Sequence, residues 1–159
     1  MASLVRRATL TDLGEIAAIH REAFPRQQDS ETWVSATLSA SPRLLAFVFA
    51  VEERVVGYIF WAQKSGIRPF ATLELDQIAV LEQWRRQGCG EHLIRESLSL
   101  VSAELKGNQQ SLKSVLVSTR ADNDARNFYA KVLGARVVAE IDGLYSATEV
   151  LMLSERADA

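Results

Sequence analysis

The sequence predicts a mixed α/β fold, a sheet with helices packed on it. Three observations carry this reading. Apolar runs of strand length and apolar stripes of helical spacing follow one another in the order β-α-α-β-β-β-α-β-α-β-β. Two pairs of strands are joined by short turns, which makes them hairpins. A chain of 159 residues, 48% hydrophobic and 24% charged, has the length and composition of one core-bearing domain spanning residues 1–159.

The elements follow in order. Residues 3–7 read as a short strand. Asp12 caps the first helix, with Glu15 three positions on as in a capping box. Leu13, Ile16, Ala17, His20 and Phe24 share one face of that helix, and Pro25 ends it. Both His20 and His92 lie in amphipathic helices and read as surface or interface residues. Ser30 caps a second helix that runs to about Ala40, before Ser41-Pro42. Only Glu52-Glu53-Arg54 separates strands over 44–51 and 55–63, so they form a hairpin. Gly66 and Pro69 make the segment 63–69 a loop. A third strand covers 71–81. A long helix follows from about 88 to 105 on the stripe Leu93, Ile94, Leu98, Val101 and Leu105, and Lys106-Gly107-Asn108 ends it. Residues 114–119 are a strand, and 122–132 are a helix closed by Leu133-Gly134. Strands over 137–141 and 145–153 make the second hairpin.

Composition excludes several function classes. A net charge of −2 and a pI near 5.7 argue against nucleic-acid or membrane-surface binding through bulk charge. A single cysteine, Cys89, excludes an internal disulfide framework and a Cys-rich zinc module. No His/Cys/Asp spacing suits a metal, and no apolar run reaches about 18 residues. The first seven residues lack an apolar signal core, so a cytoplasmic protein is expected.

The most informative segment is Ile78-Ala79-Val80-Leu81-Glu82-Gln83-Trp84-Arg85-Arg86-Gln87-Gly88-Cys89-Gly90-Glu91. An apolar strand runs into a short turn and then into a helix. Gly88 and Gly90 stand where that helix begins and let backbone approach a ligand. The first N–H groups of a helix lack partners within it and sit at the positive end of its dipole. Together they suit an anion such as a pyrophosphate, and Arg85 and Arg86 add donors and charge. Read alone, such glycines also serve packing and such arginines are often solvated. Leu93 stands where a dinucleotide fingerprint needs its third glycine, and no G-K-[S/T] follows, so neither that motif nor a P-loop is present. Cys89 has no His or Asn partner near it in sequence, so its backbone amide matters more than its thiol.

Arg85-Arg86-Gln87-Gly88-Cys89-Gly90 resembles the R/Q-x-x-G-x-G/A motif of the GNAT superfamily of N-acetyltransferases, and the preceding strand, the spacing and the element order match that family too. The resemblance implies a six- to seven-stranded, mostly antiparallel sheet flanked by about four helices. It implies acetyl-CoA as co-substrate and direct acetyl transfer to a primary amine, with no metal. The pyrophosphate would meet the backbone from Arg86 to Glu91, and the pantetheine arm would run along Ile78, Ala79 and Val80. A non-catalytic acyl-CoA-binding module on the same fold is the other reading.

Acetyl transfer needs a neutral amine and a proton donor for the departing thiolate. Glu74 and Asp76 share one face of their strand by period two, with Ile78 and Val80. Two carboxylates on a central strand pair with cations or face a wet cleft. Some family members resemble this chain in placing a base glutamate at the Glu74 position, acting directly or through water, and Asp76 is the reserve. Others take a glutamate from the next strand, where Val117-Ser118 offers none. Read alone, Tyr129 is a core tyrosine on the face of Ala125, Phe128 and Val132. Its segment, however, resembles the family pattern N-x-x-A-x-x-F/L-Y-x-x-L-G, in which the tyrosine is the candidate proton donor. The pattern's asparagine falls at Asp122, with Asn123 and Asn127 as neighbours, so the resemblance implies that one of Asp122, Asn123 and Asn127 contacts the coenzyme, and the gap from Tyr129 to Gly134 is one residue longer than usual.

The acceptor, a small molecule or a peptide, faces the regions 24–40, 63–70 and 142–145, which carry Trp33, Phe70, Tyr145, Arg26 and Arg68. A homodimer through sheet edges is compatible with such a fold. The size of the acyl pocket, which separates acetyl from longer donors, is not written in the sequence.

Overall fold

In the computed structural model, which describes residues 1–156, the strands and helices appear in the order read from the sequence. The strands are β1 (Ser3–Arg7), β2 (Leu44–Val51), β3 (Arg54–Gln63), β4 (Phe70–Val80), β5 (Ser111–Arg120), β6 (Arg136–Ile141) and β7 (Glu149–Glu155). The helices are α1 (Leu13–Ala23), α2 (Ser30–Leu38), α3 (Cys89–Gly107) and α4 (Ala125–Leu133). The sheet order is β1-β2-β3-β4-β5-β7-β6. The pairs β1–β2, β2–β3, β5–β7 and β6–β7 are antiparallel, and β4–β5 is parallel.

The described chain packs as two units. One holds Met1–Ala62 and Asp76–Val101, and the other holds Gln63–Leu75 and the described residues from Ser102 onward.

In the first unit, β2 and β3 are apolar and buried on both faces. Ile16, Ile19 and Val34 of α1 and α2 cover Ala46, Val48, Tyr58, Phe60 and Ala79. Trp61 donates from Nε1 to the Ser97 hydroxyl of α3 at 2.8 Å. The β2–β3 turn is two residues, Glu52 and Glu53, both left-handed, and Arg54 already pairs with Val51.

Both helix starts correct the sequence reading. Leu10–Asp12 forms a 3-10 turn ahead of α1, and Asp12 accepts the Thr9 amide at 2.8 Å, so the box closes one turn early. Arg6 fixes this choice by clamping both Asp12 oxygens at 2.8 and 2.9 Å, while Glu15 accepts the Val55 amide at 3.0 Å instead. At α2, Asp29 rather than Ser30 is the cap, accepting the Thr32 amide, because an anion suits the positive end of the helix.

In the second unit, β4 pairs with β5 from Phe70↔Ser111 to Glu74↔Leu116. This pairing extends β5 three residues earlier than its apolar run begins. β7 lies between β5 and β6. The Ser154 hydroxyl of β7 donates to the Leu133 carbonyl at the end of α4. Helix α4 starts at Ala125, later than its pattern implies, because Asn123 Oδ1 accepts the Ala125 amide and shapes the turn.

Candidate active site

Beyond Val80, one 3-10 turn over Glu82–Trp84 leads into residues 85–88, and α3 begins at Cys89. The turn uses two left-handed residues, Arg86 at φ 59° and Gly88 at φ 83°. Glycine adopts that conformation freely, whereas arginine does so at a cost of about 1 kcal/mol. The first helical bond runs from the His92 amide to the Gly88 carbonyl at 3.0 Å. The amides of Cys89 and Gly90 therefore precede every acceptor their own helix can offer. Arg86, Gln87 and Gly88 are exposed. An open turn, amides at a helix start and the positive dipole end fit a diphosphate.

The loop side chains behave differently from one another. Arg85 turns back on the strand: its amide donates to Glu82 at 3.1 Å, its Nε donates to the Val80 carbonyl at 2.8 Å, and its Nη2 lies 4.0 Å from Glu22. Gln87 donates from Nε2 to the Gln83 carbonyl at 2.9 Å. Cys89 is 5% exposed, and burial pushes its thiol up, so it packs inward as a neutral group. Glu91 holds Arg95, and the exposed His92 holds Glu96, each at 2.8 Å.

Along β4, Leu73, Leu75, Gln77 and Ala79 are buried, Glu74 and Ile78 are half-buried, and Asp76 is exposed. Val80, expected on the more open face, is buried as well. Glu74 pairs with Lys64 at 3.2 Å, so its partner is a lysine of the neighbouring loop. Gln77 accepts from the Tyr58 hydroxyl at 2.9 Å. Burial, and then the negative charge of Asp76, push the Tyr58 phenol up and keep it a donor. No motif announces this pair, and its one signal in the sequence is a polar residue at a buried parity position.

In the second unit Tyr129 is 8% exposed, and burial pushes its phenol up to about 12, so it stays protonated at neutral pH. Asp122 is gripped by Arg120 at 2.9 and 3.0 Å, and that hydrogen bonding holds its carboxyl below the usual range. Asn123 is spent on the turn before α4, whereas Asn127 stands exposed on the first turn of the helix.

His20 is a correction. It is fully buried, with Nδ1 2.8 Å from the Ser30 hydroxyl and Nε2 2.9 Å from Gln27 Oε1. Helix α2 and the loop before it close over its ring, which an amphipathic pattern does not register.

A model of the family described as "Acetyltransferase (GNAT) domain" matches residues 42–132. A curated N-alpha-acetyltransferase of Sulfurisphaera tokodaii is 31% identical over 153 residues, covering 91% of this chain and 87% of that protein. The crystal structure of Ard1 from Thermoplasma volcanium superposes with a TM-score of 0.76 at 26% identity, covering 98% of each chain. The structure of Arabidopsis thaliana NAA60 in complex with acetyl-CoA gives a TM-score of 0.75 at 17% identity, covering 97% and 98%.

Proposed function

Because this chain belongs to the GNAT acetyltransferase family, we propose that it transfers the acetyl group of acetyl-CoA to the α-amino group at the N-terminus of a peptide or protein. The observation that carries the choice of acceptor is the N-alpha-acetyltransferase relative, similar along nearly the whole chain. The same relative favours an enzyme over a non-catalytic acyl-CoA-binding module.

The chain's own residues divide the work. The amides from Arg86 to Glu91 receive the diphosphate. The backbone of Ile78, Ala79 and Val80 lies along the pantetheine amides. The Val80 carbonyl already accepts from Arg85, but a carbonyl has two lone pairs and serves both. Acetyl-CoA supplies an activated thioester when bound. Glu74, directly or through a water, takes the proton that makes the amine nucleophilic, with Asp76 in reserve. Lys64, 3.2 Å from the Glu74 carboxylate, fixes where that carboxylate lies. Tyr129, neutral because it is buried, donates toward the departing sulfur. Asn127 is the exposed amide of its segment and contacts the coenzyme, with Asp122 and Asn123 shaping the turn around it.

The test is acetylation of three acceptor sets read by mass spectrometry: peptides with a free N-terminus, the same peptides blocked at the N-terminus but carrying lysine, and small polyamines. Acetylation confined to free N-termini is expected. Turnover of polyamines alone would refute the acceptor assignment.

A further inference from the structure

The strand end and the loop beyond it are tied to α1 by one carboxylate. Glu22 stands in the last turn of α1, and its Oε1 accepts the backbone amide of Glu82 at 2.9 Å. The same oxygen lies 4.0 Å from Nη2 of Arg85, whose Nε donates to the Val80 carbonyl at 2.8 Å. Glu22, Leu81, Glu82 and Gln83 also line a cavity of about 550 Å³ with Arg54. The chain from Val80 to Arg85 is thus held at three points: a strand carbonyl, a turn amide and a guanidinium.

We propose that Glu22 is a positioning residue for the coenzyme loop. Left to itself, a turn with an arginine in the left-handed region would relax, because that conformation costs free energy. The Glu22 carboxylate opposes this by a charge-assisted bond to the Glu82 amide, the stronger class of hydrogen bond. Arg85 is held on the strand by its own bond to the Val80 carbonyl, and with the Glu82 amide fixed as well, residues 86–90 present their amides in one arrangement. The exposed Glu22–Arg85 pair adds little by itself. The proposal rests on the reading of this loop as the coenzyme site.

Acetyl-CoA binding to the whole protein, measured by calorimetry, is the test, with Glu22→Ala and Glu22→Gln beside the wild type. Glutamine keeps an acceptor for the Glu82 amide and loses only the charge. Glu22→Ala is expected to raise the Kd for acetyl-CoA about tenfold, and Glu22→Gln about threefold or less. The KM of the peptide acceptor, at saturating acetyl-CoA, stays the same in both. Equal Kd values for the wild type and a folded Glu22→Ala would overturn the positioning role. So would a changed acceptor KM with an unchanged Kd. If Glu22→Ala does not fold, Glu22→Gln decides: a Glu82 amide that exchanges hydrogen faster than in the wild type, with a Kd raised about threefold, supports the role, and faster exchange at an unaltered Kd refutes it. A wild type that binds no acetyl-CoA overturns the coenzyme reading and this proposal with it, whereas tight wild-type binding isolates the role of Glu22.

Discussion

The Tyr58 hydroxyl donates to Oε1 of Gln77 at 2.9 Å and joins β3 to β4 beneath α1 and α2. Tyr58→Phe leaves the Gln77 acceptor without its donor and should lower stability by about 1–2 kcal/mol. Removing both polar groups, as in Tyr58→Phe with Gln77→Leu, should cost less than the sum of the single changes, because no group is then stranded. Urea midpoints of the three variants check this, and strict additivity would contradict it.

Tyr129→Phe should lower kcat by about 100-fold, the lower end of what a positioned proton donor supplies. The Kd for acetyl-CoA should not change, since the hydroxyl acts on the departing group. Burial pushes the phenol up to about 12, so the wild-type rate should show no decline from its ionisation below about pH 10. A wild-type profile that falls near pH 9, and loses that limb in Tyr129→Phe, would contradict the raised phenol, whereas an unchanged kcat in Tyr129→Phe would refute the role.

Gly57 is a position of close approach. An added Cβ would lie 3.1 Å from the Ala79 carbonyl oxygen and 3.2 Å from both Leu93 Cδ1 and Val80 Cγ2. Gly57→Ala should therefore destabilise by about 1–3 kcal/mol, since β4 and α3 must give way. It should also weaken acetyl-CoA binding, because the displaced strand is the one that leads into the coenzyme loop. Thermal unfolding and calorimetry report the two effects separately.

The clamp of Arg6 on Asp12 makes a pH-dependent contribution. Hydrogen bonding from Arg6 holds the Asp12 carboxyl below the ordinary aspartate range. The folded value is lower than the unfolded one, so the stabilisation is complete above about pH 4 and fades as pH falls through the folded value. Asp12→Asn should cost about 2 kcal/mol at pH 7 and much less near pH 2. Urea unfolding at the two pH values measures the difference, and an equal cost at both would refute the assignment.

Glu74→Gln should leave acetyl-CoA binding intact and lower kcat by about 100-fold if Glu74 is the base. Unchanged turnover in that variant, with a loss in Asp76→Asn, would move the role to Asp76.

Local signals in the chain were legible. The strand runs and helical stripes placed the elements, and the glycines at the start of α3 marked the turn that suits a diphosphate. Where a cap or strand end was misplaced, a distant residue had decided it. Arg6 drew Asp12 into the turn before α1, and pairing with β4 lengthened β5. The same holds at the candidate site. The strand, turn and helix that carry Glu74, Arg85 and Tyr129 are legible in the sequence, but Glu74 meets Lys64, Arg85 meets Val80 and Glu22, and Tyr129 is neutral because it is buried.

The sequence by itself determined the order of elements, the family and the turn ahead of α3, since each depends on residues within a few positions of one another. Only the tertiary structure decided the partners of the polar groups. Glu22 reaches Glu82 across 60 residues, Tyr58 reaches Gln77 across 19, and His20 reaches Ser30 across 10. A hydrogen bond depends on a few tenths of an ångström and on direction. Those are fixed by how the helices and strands pack, and no local pattern of residue types encodes them.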